Sequence, residues 1–360
     1  MDDLYGPESS TACSPLQRPP CAPPMTEPEP TLEDLGWRPF FVDQITPDER
    51  NASRPVRVMA VHRGKLAVAG AALECQIASH LASSRGEEDR PTVGDWLLID
   101  RDSLEPQRIL DRASLFKRRA AGGDHRLQLI AANVDTVLIV ASCNQDFNIP
   151  RLERYLVLAR EVGVNPVIVL TKIDLTDRPD TFAAQARALQ PGLRVECVNA
   201  RDRASVAQLA ALCGPGETVA LLGSSGVGKS TMVNTLRGSD LIATQAVRDH
   251  DGKGRHTTTV REMHRLEGGG WLMDTPGMRE FQMIDAAAGL AEVFDDIEQS
   301  ALACRFTNCS HTTEPGCTIQ AALANGTLDS ARLDRWRKLT EQDSGTPAWQ
   351  TRARKPAKRT

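Results

Sequence analysis

Apolar residues change their spacing twice along this 360-residue chain. Up to about residue 33 they are sparse among Pro, Ser, Thr and Glu. A stretch with so little to bury is expected to be disordered over 1–33. From Trp37 to about Arg119, short apolar runs stand between turn residues. They predict strands over 56–62, 65–69, 73–78, 95–100 and 107–111, and hence a small β-barrel or sandwich. From Ile130 the pattern becomes strands alternating with helices. Buried strands are predicted over 134–141, 166–170, 193–198 and 219–222, with helices over 151–162, 181–189, 206–212 and 231–237. That order implies a parallel sheet. A hairpin is predicted over 260–273, turning at Gly268, Gly269 and Gly270, and a helix near 291–297. The last periodic stretch, 328–339, reads as an amphipathic helix with Leu333 and Trp336 inward.

Charge refines this division. The formal net charge is -4. The first 50 residues hold ten acids and three bases, so the remainder is mildly basic, with 40 bases and 37 acids. Two basic runs stand out, Lys117-Arg118-Arg119 and the tail from Arg352 to Arg359. Each fits either a solvated segment or a phosphate contact. No apolar run has membrane-spanning length, and the acidic start lacks the features of a signal peptide. A soluble, cytoplasmic protein with reduced cysteines is expected. Met25 is a second candidate start, and Cys13 and Cys21 receive no role.

The chemistry begins where one buried strand ends. Gly223, Ser224, Ser225, Gly226, Val227, Gly228, Lys229 and Ser230 fit G-x-x-x-x-G-K-[ST] at every fixed position. A strand precedes them, and a helix follows from Thr231. This is the context in which backbone N–H groups and a helix N-terminus close round a phosphate. Lys229 would reach the β- and γ-phosphates, and the Ser230 hydroxyl would hold Mg²⁺. At another strand end stands Thr171-Lys172-Ile173-Asp174. The Asp174 carboxylate can accept from guanine N1–H and its exocyclic amine, donors that adenine does not offer there. The Lys172 stem can lie along the base. Asp274-Thr-Pro-Gly277 follows a third strand, placing Asp274 to contact Mg²⁺ and the Gly277 N–H to meet the γ-phosphate. Among Thr257, Thr258 and Thr259 one completes the Mg²⁺ shell, with Thr258 taken as the ligand. Met278 occupies the position where many GTPases keep a water-orienting glutamine. His256 is the substitute candidate, and Arg255 and Arg248 are weaker candidates for charge stabilisation.

Cys304, Cys309, His311 and Cys317 form a Cys₃His set with spacing suited to one tetrahedral ion. Four protein ligands leave no open position, so a bound Zn²⁺ would be structural.

The pieces resemble a Ras-like GTPase in permuted order, the base-reading motif at 171 preceding the phosphate loop at 223 and the switches at 257 and 274. A pocket at converging strand ends survives such a permutation. With Ile130-Ala-Ala-Asn-Val-Asp135, Gly254-Arg-His-Thr-Thr-Thr259 and the cysteine cluster, the chain resembles the ribosome small-subunit-dependent GTPase A (RsgA/YjeQ-type) family over about 36–340. The resemblance implies a multidomain α/β protein. Its parts would be an N-terminal OB-fold (36–119), a central circularly permuted Ras-like P-loop GTPase domain (120–300), a zinc-binding helical domain (301–342) and a basic tail (343–360). It implies GTP hydrolysis to GDP with Mg²⁺, stimulated by the 30S ribosomal subunit late in its maturation, contact with 16S rRNA, and a monomer away from membranes. It also supports His256 and Lys229 as catalytic. In the base-reading motif Thr171 stands where asparagine is common, which removes a bracing amide. Asn199-Ala200 replaces Ser-Ala, though the Ala200 N–H can still meet the guanine carbonyl. Two rivals are a small-metabolite kinase or ATPase, opposed by Asp174, and a nucleotide-gated RNA-binding scaffold with incidental turnover.

Overall fold

The computed structural model describes residues 30–81, 86–119, 127–237, 261–274 and 286–344. A hydrogen-bonded turn over residues 31–37 leads into α1 (Pro39–Val42) and α2 (Pro47–Ala52). Thr46 and Glu49 cap α2 reciprocally, each side chain accepting from the other's backbone N–H. Both helices begin at a proline and are too short for a 3.6-residue period to show, which is why the apolar pattern does not predict them.

Five strands follow: β1 (Ser53–His62), β2 (Lys65–Gly70), β3 (Leu73–Ala78), β4 (Trp96–Asp100) and β5 (Pro106–Ile109). They pair antiparallel in the order β5-β4-β1-β2-β3. Val56, Val58, Leu66, Val68, Leu97 and Ile99 make the buried cluster between them. Among the described residues no ladder joins β3 to β5. Next, β6 (Leu115–Arg119) and β7 (Leu127–Ala132) form a separate antiparallel ribbon. Lys117, Arg118 and Arg119 therefore lie in a strand and not in a linker.

The central region alternates as its pattern predicts. It comprises β8 (Thr136–Ser142), α3 (Ile149–Glu161), β9 (Asn165–Thr171), α4 (Pro179–Arg187), β10 (Arg194–Cys197), α5 (Arg203–Ala210), β11 (Thr218–Leu222) and α6 (Lys229–Arg237). The hairpin β12 (Arg261–Arg265) and β13 (Trp271–Asp274) completes it. The parallel order is β10-β9-β8-β11-β13. Successive residues of β8 enter opposite cores: Val137, Ile139 and Ala141 pack on one face, Leu138 and Val140 on the other. Covering both faces is what makes these strands apolar at nearly every position. Helices α5 and α6 cover the second face through Val206, Leu209, Met232 and Val233. Antiparallel pairing of β12 with Ala60 and Val61 of β1 joins the central sheet to the N-terminal strands.

Four helices end the described chain: α7 (Ala287–Val293), α8 (Asp295–Leu302), α9 (Thr318–Ala324) and α10 (Ser330–Ser344). Leu333 and Trp336 of α10 are buried, as the periodicity predicts. They share the first core with Leu152 and Leu156 of α3. Among the described residues no helix is long and apolar enough to cross a membrane.

Candidate nucleotide site and metal centre

The phosphate-loop sequence leaves β11 through three glycines with positive φ: Gly223 at 148°, Gly226 at 77° and Gly228 at 96°. Side chains rarely tolerate these conformations. At Gly223 space forbids one as well, because a Cβ there would collide with the Val140 carbonyl of β8. The loop then enters α6 at Lys229, held by buried Met232 and Val233. Lys229 Nζ donates to the Gly223 carbonyl at 2.6 Å and the Ser224 carbonyl at 2.5 Å. The ammonium is thus folded over its own loop. Ser225 and Gly226 are exposed at the crest, while Ser230 and Thr231 occupy the first turn of α6, half-buried.

The base-reading motif abuts this loop directly. Thr171 is fully buried at the end of β9, and its hydroxyl lies 2.5 Å from the Val227 carbonyl and 3.2 Å from that of Ala141. The amide that asparagine would bring is missing at 171, but the Thr171 hydroxyl ties the motif to the phosphate loop. Lys172 follows in the left-handed region, φ 58°, and turns the chain into a tight helical turn over Ile173–Leu175. Asp174 is exposed on that turn. Ala200 approaches from the other side, its carbonyl accepting the Thr235 hydroxyl of α6 at 2.7 Å. Asn199 turns inward on its own loop, its side-chain oxygen accepting the Arg201 N–H. A Cβ placed on Gly228 would stand 3.6 Å from Thr171 Oγ1 and 3.8 Å from Ala200 Cβ. The three elements 171–174, 199–200 and 223–230 thus converge at one end of the sheet.

Asp274 ends β13, whose register with β11 pairs Met273 with Ala220. Its backbone therefore stands at the same sheet end as the loop. Its side chain, together with His256, Thr257, Thr258, Thr259 and Gly277, lies outside the described residues, as do Arg248, Arg255 and Met278.

The cysteine cluster assembles completely. The ligand atoms of Cys304, Cys309, His311 and Cys317 all lie within 4.8 Å of one another. His311 Nδ1 is 3.5 Å from Cys304 Sγ and 3.6 Å from Cys317 Sγ, and those two sulfurs are 3.9 Å apart. Bonds of about 2.3 Å to sulfur and about 2.0–2.1 Å to nitrogen place tetrahedral ligand atoms roughly 3.5–3.8 Å apart, so the set fits Zn²⁺. Positive φ at His311 turns the ring inward, and its carbonyl accepts from Gln320 Nε2 and Arg337 Nη2. The Glu314 carboxylate braces the intervening loop by accepting from Ser310, Thr312 and Thr313, and these bonds, chiefly from Ser310, hold its pKa down to about 2. Burial raises the Cys304 thiol, but the Thr318 and Ile319 N–H groups at the start of α9 bring it below its usual value. Burial pushes the Cys309 thiol up to about 12, so its thiolate would need the charge of an ion held among the four ligands.

The RsgA GTPase family is matched over residues 109–284. The chain is 49% identical over 322 residues to "Small ribosomal subunit biogenesis GTPase RsgA" of Mesorhizobium japonicum, spanning 89% of this chain and 92% of that protein. This chain belongs to the RsgA family. It is also 48% identical over 313 residues to RsgA 2 of Vibrio parahaemolyticus, covering 87% of this chain and 86% of the relative. Among solved structures, YjeQ from Thermotoga maritima superposes with a TM-score of 0.59 at 23% identity, over 82% of this chain and 99% of its own. YloQ, described as a circularly permuted GTPase, gives 0.57 at 23% identity, over 82% and 96%. These two likenesses carry the fold: a permuted GTPase architecture on a mixed α/β sheet.

In this RsgA-family chain, sequence reasoning missed two residues at the site and a third on the same helix. Arg151, at the start of α3, donates through Nη1 to Ser224 Oγ at 2.6 Å. Tyr155, one turn on, faces the same serine. Glu153, on another face of that helix, is fully buried and pairs with Arg335 of α10. No spacing rule relates 151 to 224 or 153 to 335. The one available signal was the choice of charged residues on a helix that otherwise reads as core.

Proposed function

We propose that this protein is a GTPase of small ribosomal subunit biogenesis, hydrolysing GTP to GDP and phosphate while bound to the 30S particle. The observation that carries the reading is the contact of Thr171 with the Val227 carbonyl, which seats a guanine-type base motif against a phosphate loop. The names of the relatives supply the ribosomal setting. Asp174 reads the guanine edge, the Lys172 stem lies along the base, and the Ala200 N–H meets the guanine carbonyl. Asn199 shapes that loop. The N–H groups of residues 223–231 cradle the phosphates, and Lys229 exchanges its two carbonyl acceptors for phosphate oxygens. Mg²⁺ held by Ser230, Thr258 and Asp274 neutralises phosphate charge when bound. The Gly277 N–H senses the γ-phosphate, and His256 orients the attacking water.

Around this centre the proposed organisation keeps an OB-type N-terminal module over 36–119, a GTPase domain over 120–300 and a structural zinc domain over 301–342. The expected tails, 1–33 and 343–360, are each trimmed at the inner end, since 31–33 join the turn that packs Leu32 on the core and Asp343 and Ser344 end α10. The exposed strand face of the N-terminal module would meet 16S rRNA. On this reading the protein works as a monomer in the cytoplasm.

The test is GTP turnover with and without purified 30S subunits, together with GTP and ATP competition on the wild type and on Asp174→Asn. Stimulation by 30S and a wild-type preference for GTP that Asp174→Asn narrows are expected. Equal binding of ATP, or GTP affinity unchanged in the variant, would put the base elsewhere.

A further inference from the structure

We propose that Arg151 is a second cation of the phosphate site, delivered to the terminal phosphate by α3 from outside the phosphate loop. This rests on the GTP-binding reading above.

Two cations gather on one loop residue. Arg151 Nη1 stands 2.6 Å from the Ser224 hydroxyl, and Lys229 Nζ stands 2.5 Å from the Ser224 carbonyl. Among the described residues no carboxylate lies within ion-pair distance of Arg151, although the side chain is half-buried. Two other charges on the same helix find ion pairs, Glu153 with Arg335 at 2.6 Å and Arg160 with Glu292 at 3.1 Å, while Arg154 reaches the Gln342 amide oxygen at 3.0 Å. A partly desolvated guanidinium beside a lysine of the same sign is unfavourable until an anion enters between them.

The helix is held so that only the side chain need move. Asn148 caps it by accepting the Arg151 N–H at 2.9 Å, and Leu152 and Leu156 are buried beneath. Ser224 lies at the strand end of the loop, opposite the start of α6. The N–H groups of α6 suit the inner phosphates, so a cation at Ser224 faces the outer end of the chain. A phosphate oxygen is also a stronger acceptor than the neutral serine hydroxyl, and the guanidinium fork fits phosphate in pairs of bonds. Arg151 therefore exchanges Ser224 for the γ-phosphate when the triphosphate binds.

The experiment compares Mg²⁺-dependent binding of a non-hydrolysable GTP analogue and of GDP to wild type, Arg151→Gln, Arg151→Lys and Ser224→Ala, with thermal melts of each. Arg151→Gln should weaken the triphosphate about tenfold or more while GDP stays within about twofold. Arg151→Lys should recover part of that loss, and Ser224→Ala, which keeps the loop N–H groups whatever it costs overall binding, should not reproduce the selective loss of the triphosphate. Equal losses for both nucleotides, reproduced by Ser224→Ala, would reduce Arg151 to a brace of the loop and overturn the proposal. Unchanged triphosphate affinity in Arg151→Gln would overturn it too. A wild type that binds neither guanine nucleotide would instead bring down the GTP reading itself.

Discussion

The central sheet meets its two neighbours through buried charges of opposite sign, and the two junctions are built differently. On the N-terminal side Arg57 of β1 is 1% exposed. Its Nη1 donates to the Leu35 carbonyl at 2.5 Å, and its Nη2 to Thr218 Oγ1 at 2.7 Å and the Asn133 carbonyl at 3.3 Å. It lies over Trp96, 5.8 Å from the ring centroid, and burial brings its pKa down to about 10. Among the described residues no carboxylate pairs with it directly; Asp135 nearby is taken by Arg38 and by the Thr218 N–H. On the C-terminal side Glu153 of α3 is fully buried and meets two arginines of α10, Arg335 at 2.6 Å and Arg332 at 3.4 Å. Arg332 is shared with Asp296 at 2.8 Å and lies over Phe294. The first junction thus solvates a charge with two peptide carbonyls and one threonine hydroxyl, from three segments. The second neutralises one within a partly wet ion network. Dipoles fixed in backbone cannot rearrange, so the first should be stiff and intolerant. The second has partners that can turn to water.

The largest expected effect separates the C-terminal side from everything else. Chelation of zinc, or Cys309→Ser, removes a binding free energy on the order of 10 kcal/mol that a segment of this size cannot replace. Hydrogen exchange should then rise across 304–344 while the strands near Arg57 keep their protection and nucleotide still binds. Freshly purified reduced protein without stoichiometric zinc would refute this account of the cluster.

Next comes Arg57→Met. It leaves the Leu35 carbonyl and the Thr218 hydroxyl without their donor and should cost about 3 kcal/mol or more, read as a lower denaturation midpoint. A loss under about 1 kcal/mol would mean that water or a neighbour replaces the guanidinium.

Smallest is Glu153→Gln, which keeps the shape and gives up the charge. Burial pushes Glu153 above the usual carboxylate range, against the pull of Arg335 and Arg332. A carboxyl whose pKa is raised by folding contributes stability below its unfolded value near 4.3, lost as pH rises through the folded value. Wild type and Glu153→Gln should therefore differ by only about 1 kcal/mol at neutral pH, as expected where desolvation offsets pairing. Below about pH 4 the wild type should lose any penalty of its own charge. A neutral-pH loss of about 3 kcal/mol or more would show that the pair dominates the junction.

Much of this was written locally in the chain. Alternation and run length predicted β1 to β3 and the central strands to within a few residues, because each strand's burial is recorded in its own spacing. The phosphate loop and the Cys₃His set were equally legible: the conformations and ligands they need come from residues close together in sequence, such as Gly223 to Ser230 and Cys304 to Cys317. What the chain could not record locally is which distant groups meet. The brace from Thr171 to Val227, the Arg151 cation on Ser224 and both buried charges join residues between 56 and 182 positions apart. Whether an arginine is solvated by water or by two carbonyls and a hydroxyl from three segments depends on how those segments pack, and only the tertiary structure decides that. The ribbon of β6 and β7 was missed for a related reason. Lys117, Arg118 and Arg119 carry no apolar alternation, and their strand exists because the partner register from Leu127 to Ala132 supplies the hydrogen bonds.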